Sequence, residues 1–126
     1  KLSEAITSHL QETEMQVERL EQISSLLDQE LSGHTCKAMK GLIKEGEEAL
    51  EEDYGCEELR DVQIVAAAQR VEHYEIAGYG NAIALAKFLN LPKVAEILEK
   101  TIEEEGDADK TLTALCESSL FAACEE

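Results

Sequence analysis

Val71-Glu72-His73-Tyr74-Glu75-Ile76-Ala77-Gly78-Tyr79-Gly80 lies in the middle of the longest helical pattern of the chain. Read at a seven-residue period, Ile64, Ala68, Val71, Glu75, Ala82, Ala86 and Leu89 fall on one stripe, with Tyr79 beside it. Glu75 stands where an apolar side chain belongs. An unpaired ionised carboxylate is costly to bury, so an inward glutamate is neutralised, paired or bound to a cation. The stretch predicts a helical bundle with a carboxylate facing its core.

Working outward, the spacing predicts a first helix from about Leu2 to Leu31, with Leu2, Ile6, Leu10, Thr13, Val17, Leu20, Leu27 and Leu31 inward and Gly33 as its stop. A shorter helix follows from Cys36 to Glu52, its acidic face solvated. Asp53-Tyr54-Gly55 breaks the pattern, and the organising helix then runs from Glu57 to Leu89. After Asn90-Leu91, Pro92 opens a last helix that continues to about Ser118. Its stripe is Val94, Leu98, Thr101, Glu105, Ala108, Leu112 and Leu115, again with a glutamate in the seam. The short junctions make neighbours of successive helices, so the expected fold is all-α, an antiparallel helical bundle forming a single domain over residues 1–126. One Pro, seven Gly and no Trp, with abundant Ala, Leu, Glu and Lys, agree with that class.

The 28 acidic and 11 basic residues give a formal charge of −17. Such a surface repels phosphate backbones and anionic lipids, so neither nucleic acid nor membrane is expected as a partner. No apolar run approaches the ~20 residues that span a bilayer, and the N-terminus lacks signal-peptide shape, which together suggest a cytosolic protein. Cys36, Cys56, Cys116 and Cys124 lack CxxC spacing and read as free thiols. No Ser/His/Asp arrangement, phosphate-binding glycine loop or HExxH is present, which leaves hydrolase and nucleotide chemistry without support.

Glu75 and Glu105, on adjacent long helices, are placed to face each other across the core. Like charges that close stay ionised together only with a cation or a shared proton between them. Asp109 lies one turn past Glu105, Glu104 is on the other flank of that stripe, and Glu72 precedes Glu75 by one turn. Glu12 and Gln16, one turn apart, flank the stripe of the first helix. Oxygen donors of this kind suit iron, manganese or magnesium. The bland alternative pairs Glu72 and Glu75 with Arg70, His73 or a tyrosine hydroxyl and leaves Glu12 and Glu14 on the surface. His9 and His34 carry little signal.

The quoted stretch, followed by Ala84-Leu85-Ala86, resembles the hallmark of the YciF-like bacterial stress proteins, a branch of the ferritin-like superfamily related to rubrerythrin and manganese catalase. The resemblance continues through His9 to Leu20, Cys36 to Ile43, Glu103-Glu104-Glu105 and Asp109 to Thr113, and so spans nearly the whole chain. It implies a dinuclear iron or manganese site built from single glutamates and Glu-x-x-His pairs. On that template Glu75 is the single glutamate, and the pairs Glu12 with Gln16 and Glu105 with Asp109 stand at the paired positions. Both pairs depart from the pattern, since the spacing is four and neither contains histidine.

The resemblance also implies another long helix ahead of this one, so the chain is expected to lack it by truncation, and a homodimer is expected to cover the apolar face left bare. A stress-response protein acting on a small oxidant such as peroxide or dioxygen is the function it implies. The alternative is a non-catalytic structural or dimerisation protein with a degenerate metal site.

Overall fold

The structure is a computed structural model, in which residues 1–124 are described. It consists of α1 (Leu2–Leu27), α2 (Lys37–Glu51), α3 (Glu57–Phe88) and α4 (Pro92–Leu115), continued by a π-helical turn, Cys116–Leu120, and the short α5 (Phe121–Ala123). There is no strand among the described residues. The all-α bundle expected from periodicity is the fold observed.

Helix ends follow local chemistry. Pro92 occupies the start of α4, where its missing N–H is no loss. The Cys36 thiol accepts a bond from the Met39 N–H and caps α2. Gly55, at φ 78°, makes the left-handed turn before α3, and its N–H is held by Asp53 Oδ1 at 2.9 Å. α1 ends at Leu27, earlier than Leu31 and Gly33 suggested. Asp28 adopts the left-handed conformation (φ 48°), and its N–H returns to the Ser24 and Ser25 carbonyls. Aspartate tolerates that conformation better than most non-glycine residues, so the stop comes early.

α4 packs along both α3 and α1, while α2 lies against α3. Side-chain layers give the directions. At one end Ile23 of α1 meets Ile83 and Ala86 of α3 and Val94, Ala95 and Leu98 of α4. At the other, Leu2 meets Val65 of α3, Leu112 of α4, and Cys116 and Leu120 of the π-helical turn. α1 and α3 are therefore parallel, and α4 runs antiparallel to both. The expectation that successive helices alternate in direction as neighbours holds for α3 and α4. Between α1 and α3, α2 is the return stroke and packs on the outside of α3.

The inward faces repeat every seven residues: Leu2, His9, Gln16 and Ile23 on α1; Val65, Glu72, Tyr79 and Ala86 on α3; Leu98, Glu105 and Leu112 on α4. On α1 this differs from the predicted stripe, for Ile6, Leu10 and Val17 are 41%, 57% and 51% exposed. The helix is turned so that His9 and Gln16 point inward, and the richer apolar stripe lies beside the core. On α3 the predicted stripe is a flank from Ile64 to Ala82, where Glu72 is buried and Ala68, Glu75 and Ala82 are half-buried, and it joins the inward row at the buried Ala86.

Candidate metal centre

Two apolar clusters occupy the ends of the bundle, and a polar layer lies between them. Gln16, Glu72, Thr101 and Glu105 are the buried polar residues of the described chain. A polar layer inside a small helical protein costs stability unless every group is satisfied. Here some groups are not. Both carboxylate oxygens of Glu105, Oε2 of Glu72 and Nδ1 of His9 are buried without a hydrogen-bond partner.

His9, Glu72 and Glu105 each place one ligand atom within 4.8 Å of the others. One comes from each of α1, α3 and α4. His9 Nε2 lies 2.8 Å from Glu72 Oε1, and Glu12 Oε2 is 3.7 Å from His9 Nδ1. Glu105 is fully buried and Glu72 only 2% exposed. Burial pushes the Glu105 carboxyl up to about 9, with the Glu72 and Glu75 carboxylates adding to the effect. Burial raises Glu72, but the contacts with His9 and Glu105 and the charges of His9 and His73 together outweigh it and hold that carboxyl below its ordinary value. His9, bonded to Glu72, is held above its ordinary value. Glu105 is thus held protonated beside the hydrogen-bonded pair of His9 and Glu72.

Glu75 stands on the flank of the cluster, where burial and the Glu72 charge raise its carboxyl while contact with Glu105 opposes them. Of the residues the sequence put forward, Glu105 and Glu72 are in the cluster and Glu75 and Glu12 border it. Gln16 is buried in the polar layer, but its Nε2 donates to Glu104 Oε2 at 3.3 Å. Glu104 itself is clamped by Arg19, whose NH1 and NH2 donate to its two oxygens at 2.6 Å each. That pairing holds Glu104 well below the usual carboxylate range and ties α1 to α4.

Asp109 turns away from the centre. Its Oδ1 accepts from Gln69 Nε2 at 3.0 Å and lies 3.2 Å from His73 Nε2, on the open side between α3 and α4. The residue alternatives for Glu72 are also spoken for, since Arg70 pairs with Glu45 and His73 with Asp109.

His9 is the member that reading the sequence missed. The signal was its register: seven residues from Leu2 and seven from Gln16, with Ile23 beyond. Apolar periodicity hides it, because the adjacent stripe of Ile6, Leu10 and Val17 is more hydrophobic. An imidazole with two buried carboxylates is a group that could hold a metal ion, and the unpartnered oxygens leave it donors to spare.

Known proteins carry the same arrangement of helices. Residues 1–124 match the DUF892 family, described as a domain of unknown function. Protein YciF of Escherichia coli K12 is 45% identical over 116 residues, which cover 91% of this chain and 69% of that protein. The crystal structure of the E. coli stress protein YciF superposes with a TM-score of 0.86 at 44% identity, covering 91% of this chain and 72% of that one. YcfI of Rhodopseudomonas palustris, for which a structural role has been suggested, gives a TM-score of 0.82 at 45% identity over 89% of this chain and 71% of that one. The blocks that resembled the YciF-like proteins are thus part of a likeness in sequence and structure along most of the chain, which belongs to the DUF892 family of YciF-like proteins.

Proposed function

We infer that this protein is a ferritin-like stress-response protein whose polar layer binds iron or manganese and acts on a small oxidant. One observation carries the reading: Glu105 is fully buried, neither of its oxygens has a partner, and Glu72 and His9 are within ligand distance of it. Without a cation this is an expensive arrangement, and with one it is a ligand set. His9, Glu72 and Glu105 hold the ion, with Glu75 and Glu12 as the nearest carboxylates for a second ion of a dinuclear pair. The bound metal supplies redox chemistry toward peroxide or dioxygen.

The chain's own residues prepare the site. The Arg19–Glu104 clamp, with Arg19 also donating to Thr101 Oγ1 at 3.2 Å, fixes α1 against α4 and keeps Gln16 in place. Tyr79, half-buried one turn after Glu75, covers the centre toward the Ile23 cluster. Burial and the nearby Glu75 and Glu105 carboxylates push its phenol up to about 12, so it stays neutral there.

Binding requires the Glu105 proton to leave. Titration of the chain with Fe(II) or Mn(II) in two buffers of different ionisation enthalpy therefore reads about one proton released per ion near neutral pH, from Glu105. Metal binding with no proton release contradicts this ligand set. A second reading, a non-catalytic structural or dimerisation protein, is favoured by the exposed stripe of Ile6, Leu10 and Val17.

A further inference from the structure

Three of the four cysteines collect at the Leu2 end of the bundle, beyond the candidate metal centre. Cys56 is the N-cap of α3, Cys116 opens the π-helical turn, and Cys124 follows α5. The antiparallel register of α3 and α4 brings them together. Glu72 is level with Glu105 and Val65 with Leu112, so the nine residues back from Val65 to Cys56 run beside the nine forward from Leu112 to Phe121. A π-helical turn, closed by i→i+5 bonds, is wider than α-helix and rises less per residue, which draws Cys124 toward that level. Cys116, Leu120 and Cys124 also follow one another at four-residue spacing. The first two are buried in the cluster that holds Val65, and α5 lies against α3, so this face is turned toward α3. The electrostatics agree with that placement: partial desolvation and the Cys56 and Glu58 charges hold the Cys124 thiol above its ordinary value, and Cys124 adds to the rise that burial gives Cys116.

We propose that Cys56 and Cys124 are a disulfide-forming pair, closed by exchange with a small-molecule disulfide and independent of the metal-binding reading. Both thiols are free and exposed, so a reagent reaches them, whereas Cys116 is buried. Cys36 is engaged elsewhere, capping α2 and facing Tyr74. In the first step the thiolate of one cysteine attacks the reagent's S–S bond, forming a mixed disulfide and releasing one small thiolate. In the second, the thiolate of the other attacks the protein sulfur of that mixed disulfide, forming the bond between Cys56 and Cys124 and releasing the second small thiolate. Two protein thiols are oxidised, losing two electrons and two protons, and one reagent disulfide is reduced to two thiols. Among the described residues, three ligand atoms within 4.8 Å of one another occur at His9, Glu72 and Glu105 and not at the thiols, so a closed soft-cation site is not what gathers them. The bond closes a loop containing α3 and α4 whole and ties α5 to the start of α3.

The test exposes the reduced full chain to oxidised glutathione near pH 8 and follows the Cys56 and Cys124 peptides by mass, so that modification of Cys36 is counted separately. The expected result is a bond between Cys56 and Cys124 within one chain, with no lasting glutathione on either. Cys56→Ser and Cys124→Ser, both at exposed positions, should stay folded by circular dichroism and each keep one glutathione on the remaining partner. The oxidised parent should melt about 5–10 °C above Cys124→Ser treated in the same way. In urea the mixed disulfide should accumulate at least tenfold more than in buffer, because the native register no longer holds the second thiol nearby. Stable glutathione on both Cys56 and Cys124 of the folded chain, a bond from either to Cys116 or to a second chain, or equal accumulation of the mixed disulfide in urea and in buffer overturns the proposal.

Discussion

Changing Glu105 to Gln tests the cost of the buried carboxyl directly. The variant keeps the shape of the side chain and removes its ionisation. At about pH 7.5 an unfolded glutamate, with an ordinary value of 4.5, has lost its proton, whereas folded Glu105 keeps it until about pH 9. A group whose folded value is raised in this way leaves the low-pH side unpenalised, and stability is lost as pH rises toward that value. Each pH unit in the window costs ~1.4 kcal/mol, so the ~3 units up to pH 7.5 amount to ~4 kcal/mol.

The amide brings unsatisfied N–H groups of its own, at ~1–3 kcal/mol, partly offset if it donates to the unpartnered Glu72 Oε2. The metal-free variant should therefore be more stable than the parent by about 2 kcal/mol near pH 7.5, and less stable than the parent by about 1 kcal/mol near pH 5, where only the amide penalty remains. Urea denaturation with chelator at several pH values between about 5 and 9 measures this. With saturating Mn(II) or Fe(II) the order should reverse, because the parent gains the linkage energy of a bound ion and the variant does not. Parallel stability curves for parent and variant across that range would refute the claim that Glu105 is held protonated by its surroundings.

Other changes separate the centre from its neighbours. His9→Ala removes one ligand and leaves the Glu72 carboxylate buried without its partner; a loss of about 3–5 kcal/mol in the metal-free chain and at least tenfold weaker metal binding are expected, by denaturation and titration. Asp109→Asn should leave metal content unchanged, since Asp109 is engaged by Gln69 and His73; metal loss in that variant would put Asp109 in the centre. The Cys36 thiol lies 2.9 Å from Tyr74 Oη, which with the Met39 N–H holds it below its ordinary value, whereas buried Cys116 is raised. Timed alkylation near pH 8 should label Cys36 first and Cys116 last, with Cys36 slowed in Tyr74→Phe; equal rates would contradict the pairing.

Helix number, and the ends of α2, α3 and α4 to within a few residues, were legible because Pro92, the Asp53-Tyr54-Gly55 break and the apolar spacing all act locally. The faces of the helices were harder. On α4 the stripe through Leu98, Glu105 and Leu112 was read correctly, because one polar residue interrupts an otherwise apolar row. On α1 the inward row contains both His9 and Gln16, so hydrophobicity favours the neighbouring row of Ile6, Leu10 and Val17. On α3 two rows of similar apolar content lie side by side, and Glu75 marked the flank while Glu72 occupied the centre. What periodicity on a single helix could not show is that His9, Glu72 and Glu105 share one level, each with apolar residues seven positions before or after it. That coincidence depends on how three helices are staggered, which packing decides. The helix end at Asp28 was hidden for a different reason, since Gly33 offers a stronger stop on propensity alone.

The central claim is that the polar layer is a cation site, and metal content is its most direct measure. The chain is loaded with Fe(II) or Mn(II), desalted and analysed for metal beside Glu105→Gln and His9→Ala. At least one ion per chain in the parent, and its loss in both variants while they remain folded by circular dichroism, is the predicted result. A folded parent that retains no metal, or variants that retain as much as the parent, would contradict it.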